Sequence, residues 1–265
     1  MPTNRTFQLD IDTKRYCNRV NVHRKLNGLG NLLPPDVADI DNFVVGLKDL
    51  GVWTNTVCWL MGSKYNVGAG TIALSMNNIY DATLVSSPTW NPNWIDTSPT
   101  NSYMFVNYPF LNRSTDKGTV ISCFSNFASN YGIVYSLRGT LGLINILGTR
   151  NATNQIYGTF SGGNATVTRS SLNTNNLQFA SIRRNGTASY TTRWNATNAT
   201  TNETLYPNTA PANIGYFQIG REVTTQYAVR VSLFVFVRDY TITDAQHDSI
   251  ESLVKSSIGR ALGLN

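Results

Sequence analysis

Glutamate is almost missing from this chain: three residues, Glu203, Glu222 and Glu251, in 265. Helical proteins draw heavily on Glu, Lys, Ala and Leu, so this shortage argues against a mainly helical fold. Charge of either sign is sparse, at 14% of residues, and the polarity is mostly neutral. Cys17, Cys58 and Cys123 are odd in number and widely spaced, with no C-x-x-C pair, which leaves metal and redox-motif readings without support. The longest apolar run, VSLFVFV at Val231 to Val237, has the length of a strand and falls far short of the ~20 residues that insertion into a membrane needs. No apolar leader opens the chain, so no secretory signal is expected. Sustained repeats and heptads are also missing, which excludes a fibre shaft encoded within these residues.

What the chain does have is 31 Asn, 31 Thr and 20 Gly. Thr suits pleated surfaces while Asn and Gly suit turns, so the composition predicts many short strands joined by tight connections. It also generates N-x-[ST] acceptors by chance. Eight occur, at Asn4, Asn112, Asn151, Asn164, Asn185, Asn195, Asn198 and Asn202, where random placement gives about six. Glycosylation is therefore not expected, and WNATNATTNET (Trp194 to Thr204) reads as a strand end running into an exposed loop.

From about residue 65 to 240 strand-like runs follow one another: YMFVNYPF, TVISCFSNF, YGIVYSLRG, LGLINILG, QIYGTFSG, ATVTRSS, LQFASIRR, YFQIGRE and YAVRVSLFVFVRDY. Their spacing is that of a sandwich, and Asn185-Gly186 marks a hairpin with a type I′ turn. In the last run Val229, Val231, Leu233, Val235 and Val237 alternate with Arg230, Ser232, Phe234, Phe236 and Arg238. That pattern predicts one fully buried face and one partly covered face. The predicted architecture is a mostly β, two-sheet antiparallel jelly-roll sandwich, concanavalin A-like, with N-terminal helices and a short C-terminal helix.

The ends are helical. A basic arm, KRYCNRVNVHRK, runs towards Gly28 and Gly30, where glycine can close a helix. PPDVADIDNFVVGLKDLGVW opens on Pro34 and Pro35, places Asp36 and Asp39 near the positive helix end, and gathers Ile40, Phe43, Val44 and Leu47 on one face. Thr243 and Gln246 form a capping box for a last helix striped by Ile250, Leu253, Val254, Ile258 and Leu262. His247 is expected on its exposed side. The division adopted is 1–60 for the arm and helix and 61–265 for the sandwich with its C-terminal helix.

No motif carries catalysis. GTFSG (Gly158 to Gly162) holds its serine one place too late for a nucleophile elbow, and no P-loop, G-x-G-x-x-G or H-E-x-x-H occurs. Asp10 and Asp12 alternate but lie in the arm, as turn or cap residues. Asp81, Asp96 and Asp116 stand apart, which suits no calcium site. The expectation is a protein that is not an enzyme, with no cofactor and no metal. Binding remains open at Trp90, Trp94 and Tyr103, which fall in the Pro/Asn/Ser-rich SPTWNPNWIDTSPTNSY. Such aromatics either plug one end of a sandwich or stack on a sugar ring or a protein partner. The net charge of +6 is not organised into a nucleic-acid stripe, and Lys14, Arg15, Arg19, Arg24 and Lys25 read as a solvated or subunit-contacting face.

IDNFVVGLKDLGVW (Ile40 to Trp53), the following VCWLMGSK, FQIG (Phe217 to Gly220) and DAQHDSIESLVKSSI resemble, in order and spacing, a family of bacteriophage virion proteins. The resemblance implies a concanavalin A-like (laminin-G-like) jelly roll closed by a short helix. It also implies a non-enzymatic structural subunit located in the virion: a capsid decoration, head fibre or tail component. Its partners are then other virion proteins and further copies of itself, with docking through the basic arm. The alternative is a glycan-binding adhesin domain that contacts the host surface.

Overall fold

The computed structural model describes residues 8–98, 102–107, 118–125, 131–139, 142–150, 155–160, 163–168, 178–184, 189–194, 197–202, 214–219, 221–222, 225–226, 229–238 and 242–259. Helix α1 (Ile11–Leu26) starts at Asp10, whose carboxylate accepts from the Asp12 backbone N–H, and ends before Gly28, whose φ of +73° favours glycine. It buries Thr13, Tyr16, Cys17 and Val20, an i, i+3, i+4, i+7 stripe. Helix α2 (Pro34–Asp49) opens on its two prolines and buries Ile40, Phe43, Val44 and Leu47. Gly51, with φ +70°, follows its end. Lys48 of α2 ties the two helices together by contacting both Asp10 (2.6 Å) and Asp12 (2.7 Å).

The strands are β1 (Thr56–Leu60), β2 (Ile72–Ala73), β3 (Ala82–Val85), β4 (Thr89–Trp90), β5 (Ile95–Asp96), β6 (Tyr103–Val106), β7 (Gly118–Ser125), β8 (Tyr131–Gly139) and β9 (Gly142–Arg150). They continue with β10 (Gln155–Phe160), β11 (Gly163–Thr168), β12 (Gln178–Arg184), β13 (Ser189–Trp194), β14 (Thr197–Asn202), β15 (Ile214–Ile219), β16 (Arg221–Glu222), β17 (Thr225–Gln226) and β18 (Arg230–Arg238). The first sheet runs β14-β13-β12-β7-β18-β5-β4, with β1 also paired to β18. The second runs β11-β10-β9-β8-β15-β6-β3-β2, and β16 with β17 forms a separate ribbon. Every pairing is antiparallel. Helix α3 (Asp244–Ser256) follows the last strand and carries the full capping box of Thr243 with Gln246.

Two cores sit on the two faces of the first sheet. Between the sheets lie Trp59, Leu84, Met104, Val106, Phe124, Ile182, Trp194, Ile219, Phe234 and Phe236. On the other face α1, α2 and α3 cover the sheet, with Tyr16, Phe43, Leu47, Ile250 and Val254 against Cys58, Cys123, Phe179, Leu233 and Val235. The molecule is thus helices on a sheet on a sheet.

Strand β18 therefore has two buried faces, not one buried and one partly covered. Its alternation also breaks. Val229 and Val231 face the inter-sheet core with Phe234 and Phe236, whereas Leu233, Val235 and Val237 face the helices. A register shift against β7 between Val231 and Leu233 flips the parity, as a bulge does.

A second departure is Thr197–Asn202, which is the edge strand β14 and not a loop. The Asn185-Gly186 turn lies outside the described residues, although the β12–β13 pairing it would join is present, from Ala180 opposite Trp194 to Arg184 opposite Tyr190. The sequons at Asn4, Asn112, Asn151, Asn185 and Asn195, and Asp116, also lie outside them.

Candidate functional site

The aromatic stretch singled out in the sequence is not an irregular loop. β4 and β5 form a small hairpin at the edge of the first sheet, with Trp90 opposite Ile95 and Asp96 opposite Thr89. The chain folds back here because the Asn91 N–H donates to the Trp94 carbonyl (2.9 Å). The segment after β1 supports the turn: Ser63 N–H donates to Asn91 O (2.8 Å) and Lys64 N–H to Pro92 O (3.0 Å). Gly62 permits that approach, since a Cβ there would stand 2.4 Å from Pro92 O.

The two tryptophans have different work. Trp90 is half-buried against both cores and donates from Nε1 to Gly70 O (3.2 Å). It plugs the sheet end, as one of the two sequence readings supposed. Trp94 instead carries a cation: the Arg230 guanidinium lies 5.2 Å from its ring centroid. Arg230 opens β18 opposite Asp96, and its Nε donates to Asp96 Oδ2 (3.3 Å). Asp96 in turn accepts from the backbone N–H (2.8 Å) and the hydroxyl of Ser98. The guanidinium is thus held in place by a ring on one side and a fixed carboxylate on another, while about a third of the Arg230 side chain stays exposed. The Trp94 Nε1–H is buried with no acceptor among the described residues. An anchored, half-open guanidinium beside aromatic surface is chemically suited to a planar anion such as a carboxylate.

Tyr103 belongs elsewhere. It stands on β6 opposite Val85 in the second sheet, so the three aromatics do not form one cluster on one sheet. Arg230 and Asp96 join Trp94 in space but not in any motif of the sequence. The pairing of β5 with β18 joins residues more than 130 positions apart, and no local pattern announces it.

The basic arm is partly spent on holding the fold. Arg19 bonds Asp81 Oδ2 (2.6 Å) and Asn78 Oδ1 (2.7 Å), and Arg24 donates to Gly30 O (2.6 Å), Ser63 O (2.6 Å) and Asn66 O (3.1 Å). Arg15 contacts Asp12 at 3.6 Å and is otherwise exposed, as Lys25 is. Asp81 and Asp96, which stand apart in the sequence, each serve an arginine.

A second polar cluster joins α3 to the first sheet. Arg193 grips both carboxylate oxygens of Asp248 (2.7 and 2.8 Å), Arg183 pairs with Asp244, and Asn198 Nδ2 donates to Asp244 Oδ2 (2.8 Å). His247, expected to be exposed, is 1% exposed and edge-on to Phe179 at 5.1 Å. It stands in the first turn of α3, three residues before Ile250 and seven before Val254, and so lies on the buried stripe, which the sheet beneath α3 is wide enough to cover from its first turn. Burial pushes its pKa down to about 4. Burial alone would raise Asp244 and Asp248, but bonds from Asn198 and Arg183 to the first, and from Arg193 to the second, hold both below the usual carboxylate value. Ligand atoms of His247, Asp248 and Glu251 lie within 4.8 Å of one another. They do not make a cation site, because Asp248 is spent on Arg193 and two guanidiniums oppose a metal there.

No family model and no curated protein matches this chain. Solved structures do. Trypanosoma rangeli sialidase shares the fold with a TM-score of 0.61 at 10% identity, over 84% of this chain and 39% of that one. The same enzyme in complex with sialic acid matches at 0.59 and 10%, over 93% of this chain and 38% of that one. The botulinum neurotoxin serotype D ligand binding domain in complex with N-acetylneuraminic acid matches at 0.53 and 11%, over 74% and 50%. The fold is a concanavalin A-like sandwich. At these identities the likeness is one of fold, and the chain spans about two fifths of the sialidase and half of the toxin domain. It still overturns one expectation. The absence of catalytic motifs pointed to a protein that is not an enzyme, yet this fold is shared with the chains of sialidases, so that exclusion does not stand.

Proposed function

We propose that this protein is a glycan-binding domain and that the corner built by Trp94, Arg230 and Asp96 contacts an acidic sugar. The observation that carries the reading is the Arg230 guanidinium held between the Trp94 ring and the Asp96 carboxylate, with about a third of its side chain exposed. A sugar acid offers a carboxylate for the part-exposed Arg230 and an apolar ring face for nearby aromatic surface. Two neighbours in fold carry sialic acid or N-acetylneuraminic acid in their complexes, which supports this ligand class. The expected result on a glycan array is selective retention on sialylated glycans, lost in both Arg230→Ala and Trp94→Ala. Retention on neutral glycans alone, or equal retention by both variants, sinks the reading.

A second reading, a virion-surface subunit, rests on the sequence resemblance and on one surface. Ile11, Val22, Leu26 and Leu33 are exposed on or just after α1, beside the exposed Arg15 and Lys25. Such an apolar and basic face suits a docking partner in a particle. Deleting α1 cannot test this, because Tyr16 and Val20 belong to the core. Val22→Asp with Leu26→Asp leaves that core intact and is expected to abolish incorporation into phage particles. Normal incorporation of the double variant removes this reading.

A further inference from the structure

We infer that His247 makes α3 a proton-released lid over the outer face of the first sheet. The imidazole sits between α3 and Phe179 of β12, 1% exposed, with its Nε2 lacking any partner among the described residues. Its Nδ1 is 3.5 Å from Asp248 Oδ1. A neutral ring tolerates this placement, since one nitrogen needs no donor. A protonated ring must bury a second N–H that no described residue accepts, and must hold its charge beside other cations.

The charges around it come from each element packed there. On α3 itself stand Asp244, Asp248, Glu251 and Lys255, the last two paired at 3.2 Å. β12 supplies Arg183 and β13 supplies Arg193, both cationic, and β14 supplies the neutral Asn198. β7 supplies the thiol of Cys123, which burial keeps protonated. α2 meets α3 through Leu50 O and Gly46, and of its nearby charges Lys48 is spent on Asp10 and Asp12 while Asp49 is exposed. Among the described residues the carboxylate nearest the imidazole is that of Asp248, at 3.5 Å, with that of Glu251 within 4.8 Å and paired with Lys255. Arg193 already holds both Asp248 oxygens.

The order of events on acidification follows. His247 has an ordinary value of 6.5 when the lid is open and about 4 when it is closed, so falling pH favours the open state through that window. Between pH 7 and 4 the open-to-closed ratio rises by about 120-fold. Asp244 and Asp248 are held below the usual carboxylate range, so the arginine clamps persist through most of that window. The imidazole yields first. Release uncovers Phe179 and Cys123 of the sheet, while the inter-sheet core stays closed.

Hydrogen exchange by mass spectrometry, corrected for intrinsic rates, tests this at pH 7.0, 6.0, 5.0 and 4.5. Peptides covering 244–256 are expected to lose more than tenfold in protection by pH 4.5, while peptides of β7 and β18 keep theirs. His247→Phe fills the space without a proton site and is expected to hold α3 closed across the series. Asn198→Ala loosens the Asp244 anchor without touching the ring, and is expected to move release to higher pH. It carries the test even where His247→Phe fails to fold. Simultaneous loss of protection in α3 and β18, or release unchanged in Asn198→Ala, overturns the proposal.

Discussion

Gly62→Ala tests whether the β4–β5 corner is held as described. The added methyl would lie 2.4 Å from Pro92 O and 2.9 Å from the Asn93 Cα and carbonyl carbon. These are backbone atoms, so no side-chain rotation relieves the clash. The turn cannot simply move away either, because Ser63 and Lys64 donate into it at Asn91 O and Pro92 O. Overpacking of this kind costs roughly 1–3 kcal/mol, and weakening one of the two hydrogen bonds adds about 1 kcal/mol. The expected loss is therefore about 2–4 kcal/mol, or roughly 5–10 °C in Tm for a chain of this size. Urea unfolding followed by Trp fluorescence and by calorimetry measures it. Gly30→Ala is the control, since nothing lies within 4 Å of a Cβ there and its φ is not positive. A Gly62→Ala loss below about 0.5 kcal/mol, equal to the control, refutes the close approach of the two segments and with it the rigid placement of Trp94.

Three further outcomes are expected. Phe43→Ala empties a fully buried position under the helices and should cost about 3–5 kcal/mol in urea unfolding, a loss that would be absent if α2 only rested on the sheet. Thr243→Ala removes the hydroxyl that accepts from the Gln246 N–H, leaves the reciprocal bond from the Thr243 N–H to Gln246 Oε1, and should lower stability by about 1 kcal/mol, with the effect concentrated in α3 exchange. Stability should also depend on pH through His247. Its folded value is depressed, so the unfolded chain binds the extra proton between 6.5 and about 4; stability is complete above 6.5 and falls by about 3 kcal/mol on reaching pH 4. Urea midpoints at pH 7.0 and 4.5 check the sign, and a midpoint that rises on acidification contradicts it.

Elements governed by nearest neighbours were legible. The α2 face of Ile40, Phe43, Val44 and Leu47, the prolines that open it and the Thr243–Gln246 box all depend on residues within a turn or two, and all appear as expected. The strand series was equally readable, because Asn and Gly mark the connections. Three features depended on distant partners and were not. The parity flip in β18 arises from a bulge against β7, which no periodicity within β18 reports. β14 looks like a loop by composition, and becomes a strand because β13 offers it an edge. Trp94 acquires its cation only when β18 lies beside β5. His247 was misplaced for a related reason, since its burial depends on how far the first sheet extends beneath α3.

The most direct test of the glycan-binding account is a titration of the Trp94 indole N–H resonance, assigned with Trp94→Phe, against 3′-sialyllactose and against lactose. The account expects a saturable shift with the sialylated sugar, none with lactose, and none with either in Arg230→Ala. An indole resonance that stays still with both sugars, or moves equally with both, contradicts it.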